Sequence, residues 1–384
     1  MIKNAIAYIT RKKNRTFIIF VILTIFFSPS FSKVSIDNIA VVVAMGIDAD
    51  YDTQSNVKVS FQFTDASSVS ESGSTEKSPS ILKTVSASSI CSAINLMNTF
   101  IDKEITLSHC KLIVFSEEIA KGNIANDICT LINNTQVRPS TNIVVSNCTA
   151  QEYIENSKPL FEPLISKYYE IFVSSSQSTG YTVNAEIGDF FDKMVCNDCA
   201  PYAILGSPSK NIGMAVFKDG SLVGELNAIE TLSFMCISND VKGFQISIPN
   251  PNVENAYIDV YLTPSKKPKI KVSLVNGSPY VTLDCKFSGK IMSMEKNANY
   301  LDSKALSDVS DACDKYLEYI FSEYLYKTSK DFKSDISGIG KYAKKLFATS
   351  DSFEAFDWRD SFSDCFFDVS VKSNVKSASL ISNS

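Results

Sequence analysis

Cys196-Asn197-Asp198-Cys199 places two thiols three residues apart, the spacing of a redox pair or of half a zinc site. A redox C-x-x-C opens a helix after a strand, which lowers the thiolate pKa. Here the motif follows an amphipathic stretch and precedes Ala200-Pro201, and no second C-x-x-C or H-x-x-x-H supplies further zinc ligands. Inert thiols, a structural disulfide and a functional pair all stay open. The single histidine, His109, lies between Ser108 and Cys110. Neighbours on an extended chain point to opposite sides, so neither flanking residue faces the imidazole, and no G-x-S-x-G elbow exists. His109 therefore reads as a structural residue at a strand entrance. Gly338-Ile339-Gly340-Lys341 invites a phosphate-loop reading but lacks the G-x-x-x-x-G-K-[ST] spacing and follows no strand, so a tight turn is expected. Glu117-Glu118 and Asp48/Asp50 read as capping and turn residues rather than as an acid–base pair. No catalytic, cofactor-binding or metal-site residue is assigned, and no cofactor is expected.

The elements that must carry these residues follow from hydrophobic pattern. Residues 39–47 form a continuous apolar run of buried-strand type, and Val57, Val59, Phe61 and Phe63 alternate with polar residues, so the two should form a hairpin. The Ser-, Glu- and Gly-rich stretch 65–80 reads as a surface loop. Helices are expected over 89–101, from Ser116 onward, over 150–156, 159–176 and 187–195, with strands at 111–115 and 142–146. Residues 197–211 contain Pro201, Gly206 and Pro208, read as turn-rich, and the main domain boundary is placed there. Beyond it, residues 214–217 and 221–223 flank Lys218-Asp219-Gly220, whose Asp-Gly pair suits a type I′ turn. Strands follow near 244–248, 257–262, 270–274 and 281–287, then a long helix over 303–330 and a final strand within 365–379.

The chain has 384 residues, 45% of them hydrophobic, enough for two or three domains with real cores. Lys3, Arg11, Lys12, Lys13 and Arg15 precede or interrupt nothing acidic in residues 1–32; without these five, 32 basic residues face 42 acidic ones, a net charge of −10. An acidic body has no footprint for phosphate backbones, so no nucleic-acid partner is expected. The basic stretch, the apolar run 17–27 and the small residues Ser30 and Ser32 resemble a signal peptide cut before Lys33. As a helix, residues 17–31 would span about 22 Å, short of a bilayer core of about 30 Å, which favours cleavage over a retained anchor. The basic flank puts the rest of the chain outside the cytoplasm. Ten cysteines there could pair, but their scattered positions argue against a compact disulfide framework.

Four segments in order resemble the Ger(x)C family of spore germination proteins. They are Asp37-Asn38-Ile39-Ala40 through Gly46-Ile47-Asp48; Ser108-His109-Cys110-Lys111 through Glu118-Ile119-Ala120; Gly213-Met214-Ala215-Val216-Phe217-Lys218-Asp219-Gly220-Ser221-Leu222-Val223-Gly224; and Lys333-Ser334-Asp335-Ile336-Ser337-Gly338-Ile339-Gly340 with Trp358 downstream. The resemblance implies a subunit without catalytic activity, acting beside two integral membrane subunits, A-type and B-type, in a nutrient germinant receptor at the spore inner membrane. It leaves open whether a small-molecule germinant binds this subunit. Family members carry a lipobox cysteine after the apolar segment; here the first cysteine is Cys91, so retention at the membrane surface would rest on an uncleaved segment or on partner subunits.

The expected fold class is α+β and multidomain, with mixed and antiparallel sheets packed with helices after an N-terminal signal or anchor segment (residues 1–32). An α/β region is expected over 33–200, with a subdomain break near 135–150, and an α+β domain over 205–379. The expected function is that of a non-enzymatic, extracytoplasmic receptor subunit; the alternative is an extracytoplasmic thiol or zinc enzyme using Cys196 and Cys199. Asp335 is expected to cap the turn after the long helix through the amides of Ser337 or Gly338, and Trp358 to pack in the core with its indole N–H satisfied.

Overall fold

The computed structural model describes residues 38–51, 56–65, 80–159, 162, 164–177, 179–294, 300 and 302–376. The segment 1–32 and most of the 65–80 loop lie outside the described residues.

In chain order the strands are β1 (Ile39–Ala49), β2 (Val57–Asp65), β3 (Ser80–Ala87), β4 (Glu104–Thr106), β5 (Leu112–Ser116), β6 (Asn142–Ser146), β7 (Tyr202–Ser207), β8 (Lys210–Lys218), β9 (Ser221–Leu226), β10 (Phe244–Pro249), β11 (Tyr257–Val275), β12 (Ser278–Met294) and β13 (Phe366–Lys376). The helices are α1 (Ile90–Met97), α2 (Glu117–Lys121), α3 (Ala125–Asn133), α4 (Ala150–Asn156), α5 (Ile165–Gln177), α6 (Ile187–Val195), α7 (Ala228–Ile237), α8 (Ser303–Tyr326), α9 (Gly340–Ala343), α10 (Ser350–Phe356) and α11 (Trp358–Ser361). This is an α+β fold.

Among the described residues a nine-stranded sheet runs in the order β3-β2-β1-β5-β6-β7-β8-β9, with β4 also on β1. Its middle is parallel, β1 on β5, β5 on β6 and β6 on β7. Its flanks are antiparallel hairpins, including the expected β1–β2 pair. Parallel strands are covered on both faces, and the residues alternate accordingly: Leu112 and Val114 enter one core, Ile113 and Phe115 the other. Residues 202–207, read from sequence as turn, are strand β7. Pro201 and Pro208 flank it without entering it, so they bound the strand instead of breaking it. The hairpin 210–226 extends this same large sheet.

The second sheet, β10-β11-β12-β13, is antiparallel except that β13 lies parallel to β12. The runs expected at 257–262 and 270–274 are one strand, β11, whose register shifts around Pro264, Lys266 and Lys269 absorb the two prolines between them. Helix α8 packs on this sheet through Val309, Cys313, Leu317 and Phe321. It also closes the sheet's edge. Ser310, Asp314 and Glu318, spaced four apart on one helical stripe, accept the backbone N–H groups of Val375 (3.1 Å), Ser373 (2.6 Å) and Val371 (2.9 Å). An edge strand whose amides are taken is not a template for a foreign strand.

Candidate functional site

After α8 the chain makes one π turn (Lys327–Asp331) and enters the 333–340 segment. Ser334 Oγ donates to the Phe217 carbonyl at 2.7 Å, fastening this segment to β8 of the large sheet. Asp335 is only 5% exposed. One carboxylate oxygen accepts the Ile339 amide at 3.0 Å; the other accepts the Gly340 amide at 2.7 Å and the Trp358 indole N–H at 2.9 Å. Its backbone carbonyl accepts the Ala200 amide at 2.8 Å. Burial pushes the Asp335 carboxyl up to about 6, against the opposing pull of those hydrogen bonds. The expected cap at Asp335 is present; it serves Ile339 and Gly340 foremost and Gly338 more weakly, and not Ser337. Ser337 is turned toward Tyr324, its Oγ 2.6 Å from the phenolic oxygen.

The Gly338-Ile339-Gly340-Lys341 stretch thus does cradle an anion with its amides, and that anion is the chain's own carboxylate. Gly340 is fixed by close approach. A Cβ there would lie 2.5 Å from Trp358 Nε1 and 2.6 Å from the Asp198 carbonyl oxygen. Trp358, 2% exposed, sits in the core as expected, with its N–H on Asp335.

The Cys196–Cys199 loop borders this junction. Cys196 ends α6 as its C-cap, so no helix N-terminus stabilises a thiolate here. Arg359 Nη2 donates to the carbonyls of Met194 and Cys196, while its Nη1 reaches Asp219 Oδ1 at 2.8 Å, at the tip of the β8–β9 hairpin. Cys196 Sγ donates to Asp198 Oδ1 at 2.8 Å. Cys199 is buried, and burial, followed by the neighbouring Cys196, pushes its thiol up to about 12. Ligand atoms of Cys196, Asp198 and Cys199 lie within 4.8 Å of one another, a donor set that suits a soft divalent ion such as zinc. Among the described residues no further histidine, cysteine or acid joins that group. A cavity of about 20 Å³ lies between this loop, Asp219, Asp335, Trp358 and Arg359. It has room for one water and no substrate.

His109 and its neighbours do not converge on a site. His109 is exposed in a turn ahead of β5. Ser108 Oγ pairs with Thr106 Oγ1 at 2.6 Å, and buried Cys110 donates to the Leu112 carbonyl at 3.4 Å, its thiol pushed up to about 12 by burial. Asp48 and Glu117-Glu118 do share a place that sequence reasoning missed. They line a cleft of about 560 Å³ with Ser116, Lys121, Asn147, Cys148 and Thr149, at the carboxyl ends of β1, β5 and β6. Ligands of open α/β sheets bind at such an edge. The acids there are engaged with other groups of the chain. Asp48 accepts the amides of Ala150 (2.7 Å) and Gln151 (3.0 Å), and burial raises its carboxyl above the usual range. Glu117 pairs with Lys121, and Glu118 accepts the Tyr51 hydroxyl. The signal that could have found the cleft was the succession of apolar strands each ending in Asp or Ser.

Comparison with known proteins gives three findings. The family model described as "Spore germination protein N-terminal domain" matches residues 32–205, and the one described as "Spore germination B3/ GerAC like, C-terminal" matches residues 212–379. A solved structure, titled "Crystal Structure of the GerBC protein", superposes with a TM-score of 0.52 at 18% identity, over 87% of this chain and 98% of that one; it shows the same fold. No curated protein matches the chain.

Proposed function

The chain belongs to the Ger(x)C family of spore germination proteins, and from that premise we propose that it is a non-enzymatic, extracytoplasmic subunit of a nutrient germinant receptor. It works beside two integral membrane subunits, A-type and B-type, at the spore inner membrane. The observation that carries this reading is that the two family matches lie in order and together reach from residue 32 to residue 379. The division of the body near residues 200–205 belongs to the same reading: the matches meet between residues 205 and 212, although the large sheet continues to Leu226.

Several local features support a non-catalytic role. The Asp335 carboxyl is sealed under Trp358 beside a cavity with room for one water. The buried thiols of Cys110 and Cys199 are held neutral, whereas thiol chemistry needs the thiolate. No helix of the described residues is long and apolar enough to cross a membrane.

The test is a tagged chain in sporulating cells. It should co-purify with two polytopic membrane proteins, and its deletion should abolish germination by at least one nutrient while lysozyme-type lysis of the cortex still works. Normal responses to every nutrient in the deletion strain refute the reading. The Cys196, Asp198 and Cys199 grouping favours one other reading, a thiol or zinc enzyme. Cys196→Ser with Cys199→Ser separates the two: loss of function in a chain of unchanged melting temperature supports the enzyme, and retained germination removes it.

A further inference from the structure

The second sheet has one covered face and one open face. On β12, Val281, Leu283, Cys285 and Phe287 turn into the core under α8, so Thr282, Asp284, Lys286 and Ser288 turn outward. The register sets lysines side by side across the open face. Lys266 lies opposite Lys286, and Lys286 opposite Lys372. One step along, Lys290 lies opposite Lys376 on one side and Tyr261 on the other. Lys269 and Lys271 continue the column on β11.

All seven of these lysines are exposed, and among the described residues only Lys372 makes an ion pair, with Asp314 at 3.3 Å. The same face carries three acids, Asp259, Asp284 and Asp368, so its balance is +4 on a chain whose formal net charge is −5. Like charges directly across neighbouring strands are destabilising. The sequence tolerates three such pairings in one sheet, Lys266–Lys286, Lys286–Lys372 and Lys290–Lys376, which is accounted for if an anionic surface offsets them. At the border of the face Phe366 is 56% exposed opposite Tyr280, and Lys290 Nζ lies 5.5 Å from the Tyr261 ring. Aromatic rings beside lysines are the composition of a headgroup-level contact.

We propose that this open face of the β11–β12–β13 sheet is a docking surface for an anionic lipid bilayer. The proposal rests on the membrane-associated part of the reading above and adds the surface that makes the contact. A bilayer is favoured over duplex DNA because the three strands offer a broad, shallow face, about 10 Å across the strands and about 30 Å along them, with no helix to enter a groove. The lysines would lie along anionic headgroups, each contributing independently, and the attraction would fall with salt.

The experiment is flotation of the full chain with phosphatidylcholine vesicles, with and without phosphatidylglycerol, at low and high salt. The N-terminal segment carries five basic residues and also favours phosphatidylglycerol, but it is the same in wild type and variant, so the readout is the difference between their phosphatidylglycerol increments. The expected result is an increment that disappears at high salt. In Lys269→Gln/Lys286→Gln/Lys290→Gln it should fall about fivefold per lysine, about a hundredfold in all. The melting temperature should not fall, since these side chains are exposed and two of them sit among like charges. An increment equal in wild type and variant overturns the proposal, as does tighter binding to duplex DNA at the same salt. Because the assay contains no partner subunit and no nutrient, a failed germination or co-purification experiment removes the receptor reading and leaves this result standing.

Discussion

Trp358→Phe keeps an aromatic ring in the core and removes one of the three N–H donors that hold the Asp335 carboxylate. Near pH 7.5 that carboxyl, pushed up to about 6, is ionised. A hydrogen bond to a buried charge is worth about 1.5–3 kcal/mol, and the smaller ring adds about 1 kcal/mol for the space it leaves, so the variant should lose about 3 kcal/mol. Near pH 5 Asp335 is protonated in the folded protein. The bond is then between neutral groups, worth about 1 kcal/mol, and the loss should shrink to about 2 kcal/mol. Linkage gives the same direction. The group titrates at about 6 folded and at 3.8 in its ordinary state, so its contribution to stability is fully present below pH 3.8 and is lost as pH rises through 6. The whole swing is about 3 kcal/mol. The Trp358 N–H favours the charged form, so losing it raises the folded value further and carries the decline to higher pH. Urea unfolding followed by circular dichroism at pH 5 and pH 7.5 measures both quantities. A cost that is the same at the two pH values would show that Trp358 stabilises by packing alone and that the carboxylate bond is not what the junction depends on.

Other expectations concern the same junction and the hairpin that reaches it. Gly340→Ala places a methyl 2.6 Å from the Asp198 carbonyl, which is backbone and cannot rotate away, so thermal unfolding should show a loss of about 1–3 kcal/mol; an unchanged melting temperature refutes the close approach. Gly220 has φ +84 behind Asp219 at φ +51, and a Cβ there would lie 2.6 Å from Asn123 Oδ1. Gly220→Val should cost about 1–3 kcal/mol, and a neutral result argues against the turn. Trp358 is the only tryptophan, so intrinsic fluorescence reports this junction alone; iodide should quench it weakly in the folded chain and strongly in urea, and strong quenching of the folded chain refutes the buried position.

What could be read from the sequence was what is decided locally. Asp219-Gly220 fixes a turn within four residues, Ser116 and Thr149 cap their own helices, and the alternation around Phe61 marks a strand, though not a half-buried one: Ser60, Gln62 and Thr64 on its polar face are buried as well, Gln62 under Tyr169. The unread part is set by partners far along the chain. Asp335 was recognisable as a capping residue, but Ser337 beside it is turned toward Tyr324, thirteen residues away. Trp358 was recognisable as core, but its partner lies twenty-three residues back. Asp48 was assigned to a turn, and it instead caps a helix that begins 102 residues later. Hairpin chemistry at 218–220 says nothing about which sheet the hairpin joins, so the continuation of the large sheet to Leu226 had no local signal.

The polar groups that looked most like chemistry are used to join elements of the chain. The Asp335 carboxylate holds α11 to the 338–340 turn, the Asp335 carbonyl holds Ala200, and Arg359 holds the Met194 and Cys196 carbonyls to the β8–β9 tip. Lys327 holds Glu230 at 2.8 Å, tying the turn after α8 to the first turn of α7. Each of these joins segments 18 or more residues apart. Apolar packing alone would tolerate small slides between such segments, whereas directional bonds, that to the buried Asp335 carboxylate above all, fix one arrangement. A subunit whose task is to present fixed surfaces to partners needs that property more than it needs a reactive cleft. For the receptor subunit proposed above, loosening the junction by Trp358→Phe should lower co-purification with membrane proteins at temperatures where circular dichroism still shows a folded chain.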